Sequence, residues 1–419
     1  MVAPHRQVWT GHRYRGSPDW LEGEMSTMRY IGIDVGKEKH ALAVMNDAGE
    51  LELKSKKFTE DAEGYAWLKR VVGEPEGTLV GLEATGHYWK NLAATLLSWG
   101  FGLVLLNPLR TRRFAESDLQ RTKTDEIDAK TIARMLREKR PEPSRLPDEV
   151  SEELRELVRL RDRLMQDLGD RVRQLHRAVD LGFPEFTRHV SDLSSHRATA
   201  LLAKYPTARA FAKARVGAVA NLKTDGRHRV GRELAEKLVE CAKTSVGMHH
   251  GDPYVLQVGY FCEDIATFRA RIKAMDRQID DAVDRHELPT LLTSIDGIGP
   301  NTAARLIAEL GDPAAFDSAK ALAAYVGVAP SHRHSGKRTP QRASCGPHGA
   351  AKLRHKLYMP TLRAIQSNEH IRAHYEALIA RGKPPKLAII ACMRRLLALV
   401  YAVSKRRTPF IPILPNVVS

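Results

Sequence analysis

Four carboxylates in the amino-terminal part of the chain have the residue type and spacing expected of a metal-dependent active site. They are Asp34, Glu83, Asp125 and Asp128. Asp34 interrupts the apolar run at residues 30–35, whose composition predicts a buried strand. A buried carboxylate is costly unless it is neutralised, paired or bound to a cation. Glu83 ends a second apolar run, and Asp125 and Asp128 share one face of a predicted helix.

These carboxylates would repel one another if they met, by about 4 kcal/mol for each pair at about 4 Å and an effective dielectric near 20. Divalent cations among them would remove that penalty, and oxygen-only ligands favour Mg²⁺, with Mn²⁺ as the other candidate. Two such ions could hold the attacking and leaving oxygens of a phosphodiester. Asp125 and Asp128 alone are more simply a solvated helix face. The four acids together favour the metal site.

The elements that carry these acids predict an α/β domain over residues 28–145. The hydrophobic pattern gives three strands, then a helix, a strand, a helix, a strand and two further helices. Strands that alternate with helices after an antiparallel meander indicate a mixed sheet flanked by helices. This order is the one found in ribonuclease H-like (RuvC-like) domains. In such an arrangement the strand that ends at Glu83 lies beside the central strand of Asp34.

A nucleotide-binding fold is an alternative for the first strand. Residues 31–36 resemble the first phosphate loop of actin-like ATPases and sugar kinases, which use a related sheet. Those proteins need a second domain of the same kind with its own Asp-Gly phosphate loop. The only candidate in this chain, residues 295–299, follows no predicted strand, and this weakens the alternative.

Charge and hydropathy narrow the classes of partner. Lysine and arginine total 66 against 50 aspartates and glutamates, and the net charge of +16 favours nucleic acid as the partner. We expect no membrane partner, because no lipidation signal is found and the most apolar run, residues 387–403, has Arg394 and Arg395 at its centre.

The four cysteines lack metal-ligand spacing, which predicts free thiols in a reducing cytoplasm. Residues 1–27 are predicted to be a disordered tail.

The middle of the chain, residues 146–290, is predicted to contain two long coiled-coil helices. Apolar residues recur at three- and four-residue spacing over residues 157–179 and again over residues 255–283. The two helices could pair in a hairpin or with another chain, and residues 183–252 between them form a predicted helical insertion. Arginines recur along the first helix. They would attract a nucleic-acid backbone or line the solvated flank of a coiled coil.

The carboxyl-terminal region, residues 291–419, is predicted to be mainly helical. Residues 291–303 have the form helix, Gly-x-Gly turn, helix, with glycines at Gly297 and Gly299. This resembles a helix-hairpin-helix motif, in which the amides at the start of the second helix can hold a phosphate. A purely structural helical turn is the alternative.

A serine in the basic segment that follows could act as a nucleophile. Ser335 precedes a glycine, and Arg333, Lys337 and Arg338 beside it could stabilise the charge of a phosphate. A serine hydroxyl is a weak nucleophile that needs a base or a cation to activate it. From chemistry alone, a phosphate-binding loop without catalysis is favoured. Ser331 and Ser344 compete for any nucleophilic role.

The order and spacing of these motifs resemble those of a known family, the insertion-sequence transposases of the one-ten family. These are DEDD transposases, also described as bridge-RNA-guided serine recombinases. The resemblance covers about residues 28–410, and its motifs lie at residues 30–34, 82–88, 107–108, 123–129, 295–299, 328–336 and 357–360.

The resemblance implies that Asp34, Glu83, Asp125 and Asp128 bind Mg²⁺ and that Ser335 forms a transient phosphoserine link to DNA. It implies donor and target DNA as partners, and a non-coding guide (bridge) RNA that supplies sequence specificity by base pairing. It also implies homodimers that assemble into tetramers, in which one subunit's acidic domain and another's serine domain complete a site. Such a protein would be associated with the bacterial nucleoid when on DNA.

Two departures from the family pattern concern the segment after Ser335 and the length of the chain. Members often carry Ser-Lys-x-Gly where this chain has Ser344-Cys345-Gly346, without the lysine. The middle insertion and the amino-terminal extension are longer than in compact members. Two other functions stay open. One is a metal-dependent Holliday-junction-type nuclease that cuts with water and forms no covalent intermediate. The other is a non-catalytic helix-hairpin-helix DNA-binding scaffold.

Overall fold

The computed structural model describes residues 28–84, 86–117, 125–144, 148–331, 344–345 and 350–412. The chain divides into two compact units, residues 1–146 and residues 147–419. The predicted tail at residues 1–27 lies outside the described residues.

The first unit contains strands and helices in the order predicted from the sequence. Its elements are β1 (Arg29–Asp34), β2 (Lys39–Asn46), β3 (Leu51–Thr59), α1 (Ala62–Val72), β4 (Thr78–Glu83), α2 (Trp89–Ser98), β5 (Gly102–Leu106), α3 (Pro108–Ser117) and α4 (Asp125–Lys139).

The sheet of the first unit is mixed, with five strands in the order β3-β2-β1-β4-β5. β1 pairs antiparallel with β2 and parallel with β4, and β4 pairs parallel with β5. The strand of Asp34 is therefore central and has the strand of Glu83 as its neighbour, as the sequence predicts. β3 is an edge strand, and its residues alternate between exposed and partly buried positions.

The sheet is covered on both faces. On one face, Ile31, Ile33 and Leu82 pack with Leu68 of α1 and Leu96 of α2. On the other face, the side chains of β1, β4 and β5 pack against α4. That second core consists of Tyr30, Leu79, Val104, Leu106, Ile132 and Leu136. The alternation of the strands thus places α4 over the face that Tyr30 occupies.

The second unit is almost entirely helical in the part that the structure describes. Its elements are α5 (Glu149–Gly182), α6 (Phe186–His189), α7 (His196–Lys204), α8 (Ala208–Ala212), α9 (Val216–Ala220), α10 (Arg232–Lys243), α11 (Asp252–Asp284), α12 (Glu287–Thr293), α13 (Pro300–Leu310), a short 3-10 helix (Pro313–Ala315), α14 (Ala319–Val326), β6 (Pro330–Ser331), β7 (Ser344–Cys345), α15 (Ala351–Lys356), α16 (Tyr358–Ser367), α17 (Glu369–Ala380) and α18 (Pro385–Arg406).

The two long helices α5 and α11 pack against each other within the chain. Ion pairs tie them together: Arg161 lies 2.5 Å from Asp276, and Arg171 lies 2.8 Å from Asp264. Of the two pairings left open by the sequence, the intramolecular one is present. Coiled-coil geometry itself stays a prediction.

The long helices contribute to two separate cores. At one end, the side chains of Leu175, Val179 and Ile265 pack with the helices of the insertion. At the other end, Leu154 of α5 and Val283 of α11 pack with helices α12 to α18. One core thus includes residues on both sides of position 290, and the predicted domain bounds stay a prediction.

Helix α18 has the length and composition of a membrane span, and half of its apolar window is buried inside the protein. Cys392, Leu396 and Val400 are completely or almost completely buried. Arg394 and Arg395 lie on its exposed side. This is the packing of a core helix, as the central arginines predict. Cys241, Cys262 and Cys392 are free thiols, also as predicted.

Candidate active site

Asp34 and Glu83 end two adjacent parallel strands at the same edge of the sheet. Ile33 of β1 is in register with Leu82 of β4, and Asp34 and Glu83 are the next residues along each strand. Side chains alternate between the two faces of the sheet, so both acids lie on the face that Gly32 occupies. α4 packs against this face, and a Cβ added at Gly32 would collide with the helix. Both are partly buried.

Helix α4 carries the other two acids over the same end of the sheet. Ala129 lies over Gly32 of β1, and Ile132 contacts both β1 and β4. Asp125 and Asp128 are each one helical turn before one of these contact residues, on the same stripe of the helix. This stripe of α4 therefore extends beyond the ends of the strands, and the two acids lie on the part that extends. The side chain of Asp125 is not among those described, so its position rests on the helix.

Two glycines allow α4 to approach the sheet this closely. A Cβ at Gly32 would lie 2.1 Å from the carbonyl oxygen of Ala129, and a Cβ at Gly81 would lie 2.9 Å from Cγ2 of Ile132. Sequence reasoning assigned no role to either residue. The signal was present, because each glycine lies two residues before a predicted acid within an apolar run.

The donor set at this edge suits a hard divalent cation, because every predicted ligand is a carboxylate. Among the side chains that the structure describes, no three from His, Cys, Asp and Glu lie close enough together to hold a metal ion. The fit of these residues to a divalent cation therefore rests on the type of ligand and on the elements that bring Asp34, Glu83 and Asp128 to one edge of the sheet. The fourth ligand, Asp125, is not described at its side chain.

The predicted serine nucleophile belongs to a segment whose two ends are fixed side by side. β6 and β7 pair antiparallel, with Pro330 opposite Cys345 and Ser331 opposite Ser344. Residues 332–343 connect these strands and lie outside the described residues. They include the predicted residues Ser335, Arg333, Lys337 and Arg338.

Hydrogen bonds join the helix before this ribbon to the helix after it. α14 ends at Gly327, which has the left-handed φ of 82°. Arg354 of α15 donates from Nη1 to the carbonyl oxygen of Gly327, at 3.2 Å. The amide of Ala350 donates to the carbonyl oxygen of Tyr325, at 3.0 Å. The helices that precede and follow the serine segment are thus hydrogen-bonded to each other.

The Gly-x-Gly turn connects α12 to α13, as the sequence predicts. Gly297 has a φ of 100°, and a Cβ there would lie 2.6 Å from the Cβ of Ala364 on α16. Backbone conformation and packing together explain this glycine. Gly299 is exposed and caps the start of α13. The assignment of a helix-hairpin-helix motif and of phosphate binding stays a prediction.

A partly buried ion network attaches α13 to two other helices. Arg305 donates two hydrogen bonds of 2.8 Å to the carboxylate of Asp162 on α5, and Lys356 of α15 lies 3.1 Å from the same group. Burial opposes ionisation of Asp162, but the hydrogen bonds and charges of Arg305, and then of Lys356, outweigh it and lower the pKa of that carboxyl. The paired guanidinium fork fixes the orientation of α13.

Comparison with protein families gives two matches. A model named DEDD_Tnp_IS110, described as a transposase, matches residues 31–184. A second model, described as transposase IS116/IS110/IS902 family, matches residues 289–376. Together they cover more than half of the chain, including every predicted site residue.

Individual relatives align along almost the whole chain. An insertion element IS116 protein of 44.8 kDa from Streptomyces clavuligerus is 26% identical, over 92% of this chain and 97% of that protein. A pilin gene-inverting protein from Moraxella bovis is 26% identical, over 91% of this chain and 97% of that protein. An insertion element IS110 protein of 43.6 kDa from Streptomyces coelicolor is 23% identical, over 90% and 94% respectively.

Proposed function

Because the chain belongs to the IS110/IS116 family of transposases and is a DNA transposase or recombinase, we propose that it excises and inserts its own mobile element. The observation that carries the proposal is the common edge reached by Asp34, Glu83 and the amino-terminal turn of α4. The ribonuclease H-like arrangement of the sheet is the fold that the matched family implies.

The acids at this edge would hold Mg²⁺ or Mn²⁺. When bound, such an ion would neutralise the charge that develops on the phosphate oxygens. Asp34 and Glu83 would act as fixed ligands, since each ends a hydrogen-bonded strand. Asp125 and Asp128 would complete the set from the first turns of α4. The packing of α4 on Gly32 and Gly81 would hold the two acids of the helix at a fixed distance from the two acids of the strands.

Ser335 would be the nucleophile. Its Oγ loses a proton and bonds to phosphorus while the bond between phosphorus and the 3′ oxygen of the DNA breaks, and that oxygen takes up a proton. The product is a 5′-phosphoserine and a free 3′-hydroxyl. Attack by a 3′-hydroxyl of the exchanged strand reverses these changes and releases the serine. Arg333, Lys337 and Arg338 would stabilise the phosphate charge.

A structured guide RNA would choose the donor and target sites by base pairing, which leaves shape and backbone to the protein. The net charge of +16 suits a protein that contacts both DNA and RNA. We propose homodimers that assemble into tetramers, and an exposed Gly299 turn that holds a phosphate at the start of α13.

Replacing Ser335 by alanine tests the covalent step. The Ser335→Ala variant should form no protein-linked DNA on denaturing gels, whereas Ser331→Ala and Ser344→Ala should form adducts as the unchanged protein does. Binding of the guide RNA should be the same in all three. If adducts persist in Ser335→Ala at full yield, another residue is the nucleophile.

A water-using nuclease is the second candidate, because an acidic edge on such a sheet suffices for metal-assisted hydrolysis. It would cut DNA in a metal-dependent way without any protein-linked product in the unchanged protein. A non-catalytic scaffold would bind DNA and leave it intact with or without Mg²⁺. One denaturing gel of the unchanged protein with labelled DNA separates the three functions.

A further inference from the structure

The helical insertion between α5 and α11 carries basic side chains that the proposed reaction does not use. It spans residues 183–251 and contains 12 lysines and arginines against 6 aspartates and glutamates. Its core includes three packed phenylalanines, with the ring centroids of Phe183 and Phe211 5.4 Å apart and those of Phe186 and Phe211 5.9 Å apart. The insertion is therefore a packed module rather than a loose loop.

A cleft of about 410 Å³ opens on this module. One wall is the turn before α7 and the first turn of that helix, with Ser195 and Arg197, and the other is the hairpin of residues 223–229, with Thr224 and His228. Polar and charged side chains line the cleft together with Val190, and the cleft is open to solvent.

The hairpin wall is held rigid by a single carboxylate. Asp225 accepts hydrogen bonds from the amides of Arg227 and His228, at 3.0 Å and 2.7 Å, and lies 2.8 Å from Nδ1 of His228. These hydrogen bonds hold the pKa of Asp225 far below its usual range. Gly226 at the tip has a φ of 83°. Lys223, Arg227 and Arg229 are all exposed on this fixed turn.

The opposite wall is fixed in a similar way. The carboxylate of Asp192 accepts from the amide of Ser194, at 2.9 Å, and from its hydroxyl, at 2.6 Å. Ser195 caps α7 by accepting from the amide of Ala198. Arg269 of α11 donates to the carbonyl oxygen of Ser194, at 2.8 Å. The two acids that line the cleft are thus engaged by the turns that they stabilise.

Arg197, which lines this cleft, and the basic side chains of the adjoining hairpin have no acidic partner among the residues that the structure describes. Within the described part of the chain, Arg197, Lys223 and Arg227 form no ion pair, and Arg229 donates to the neutral side chain of Asn221. The cations of α10, in the same module, are all paired. Those pairs are Arg232 with Glu236, Lys237 with Glu233, and Lys243 with Glu240. Arg197 and the hairpin therefore carry part of the positive charge of this module that no acid neutralises.

The long helix α5 differs from the cleft, because acidic side chains pair with some of its arginines. Arginines of α5 that the sequence offered as nucleic-acid contacts are engaged by carboxylates: Arg161 by Asp276 and Arg171 by Asp264. Their charge is largely compensated inside the protein. These two arginines therefore offer a polyanion less positive charge than the unpaired cations of the hairpin do.

We propose that this cleft binds the phosphodiester backbone of a nucleic acid, as a contact separate from the acidic edge and from the serine segment. Arg197, Lys223, Arg227 and Arg229 would neutralise phosphates, and the rigid turns would limit the entropy lost when they do so. The proposal rests on the proposed function, in which the protein handles DNA and a guide RNA. Either nucleic acid offers the same backbone chemistry.

The test compares two triple variants of the full chain that remove the same charge from the same module. The first is Lys223→Ala with Arg227→Ala and Arg229→Ala, and the control is Arg232→Ala with Lys237→Ala and Lys243→Ala. Binding to a DNA duplex and to a structured RNA is measured over a range of salt concentrations. The first variant should bind about tenfold more weakly, and its slope of log K against log salt should fall by about 2. The affinity of the control should stay within about twofold of that of the unchanged protein.

The single variant Arg227→Glu at the exposed tip of the hairpin gives a second measurement. It changes no residue of the packed core, so it should leave the fold intact.

Each outcome is decisive. A loss confined to the duplex assigns the cleft to DNA, and a loss confined to the structured RNA assigns it to RNA. If the unchanged protein binds nucleic acid and both the first triple variant and Arg227→Glu bind equally well, the cleft is not a contact. If the unchanged protein binds neither nucleic acid, the proposed function itself is wrong.

Discussion

Gly32 on β1 lies directly against Ala129 on α4, where a Cβ at Gly32 would lie 2.1 Å from the carbonyl oxygen of Ala129. The helix backbone therefore packs on the strand backbone, without a side chain between them. Two residues after Gly32 the strand ends at Asp34, and one residue before Ala129 the helix presents Asp128. The close contact sets the spacing between the strand acids and the helix acids.

Replacing Gly32 by alanine should destabilise the first unit, because the new methyl group meets backbone atoms that cannot rotate away. Overpacking of this kind costs about 1–3 kcal/mol, and we expect the upper part of that range. Gly81→Ala should cost less, since its nearest neighbours are the ends of the Ile132 and Leu136 side chains. Urea unfolding of the full chain measures both.

The control for these variants is Gly259→Ala on α11, where a Cβ would meet nothing within 4 Å. Alanine favours a helix over glycine by about 0.8–1 kcal/mol, so this variant should be at least as stable as the unchanged protein. Equal unfolding midpoints for Gly32→Ala and Gly259→Ala would show that α4 does not press on β1.

Removing one strand acid should abolish metal-dependent strand breakage while the fold is kept. Asp34→Asn and Glu83→Gln keep the size of each side chain but lose the charge that binds the cation, so activity should fall by at least about 100-fold. Glu63→Gln on the exposed surface of α1 is the matched control and should stay active. Recombination at the normal rate in Asp34→Asn would remove that residue from the site.

Breaking the network at Arg305 should destabilise the second unit more than breaking a surface ion pair does. Arg305→Gln leaves the partly buried carboxylate of Asp162 with only Lys356, and the loss of one partner of a buried pair costs about 3 kcal/mol. The double variant Asp162→Asn with Arg305→Gln should cost less, because no charge is then left behind. Urea unfolding of the two variants compares these costs. Additive losses would mean that the two side chains do not interact.

Acidification should destabilise the contact between α17 and α18. Burial first, and then the charge of Arg395, lowers the pKa of His370 below its usual 6.5. Nε of Arg395 donates to Nε2 of His370 at 2.8 Å, which requires the neutral ring. The unfolded chain therefore takes up this proton first, so stability should fall as the pH drops below about 6.5 and level off below the folded pKa.

The His370→Gln variant isolates this effect from that of the other histidines. Its free energy of unfolding should change less between pH 7 and pH 5 than that of the unchanged protein. Arg395→Gln removes the second cause of the shift and should also flatten the profile. The same pH dependence in all three proteins would contradict the assignment.

The sequence determined the elements of the first unit, because strands and helices differ in the period of their apolar residues. The runs at residues 62–72 and 78–83 coincide with α1 and β4. The position of β4 beside β1 followed from the order of these elements. The long helices α5 and α11 and the helical insertion between them were equally legible, because apolar spacing is local information.

Contacts distant in the chain were decided only by the tertiary structure. No local pattern indicates that Gly32 and Gly81 receive the backbone and side chains of α4, or that Arg305 pairs with Asp162 across 143 positions. The sequence offered the arginines of α5 as nucleic-acid contacts, but α11 supplies carboxylates to two of them, Arg161 and Arg171. Charge counts cannot show which cations are neutralised, because pairing depends on which helices meet. The sequence alone therefore identified the acids and the elements that carry them. Packing decided at which edge and on which face of the sheet these acids lie, and which cations remain available to a partner.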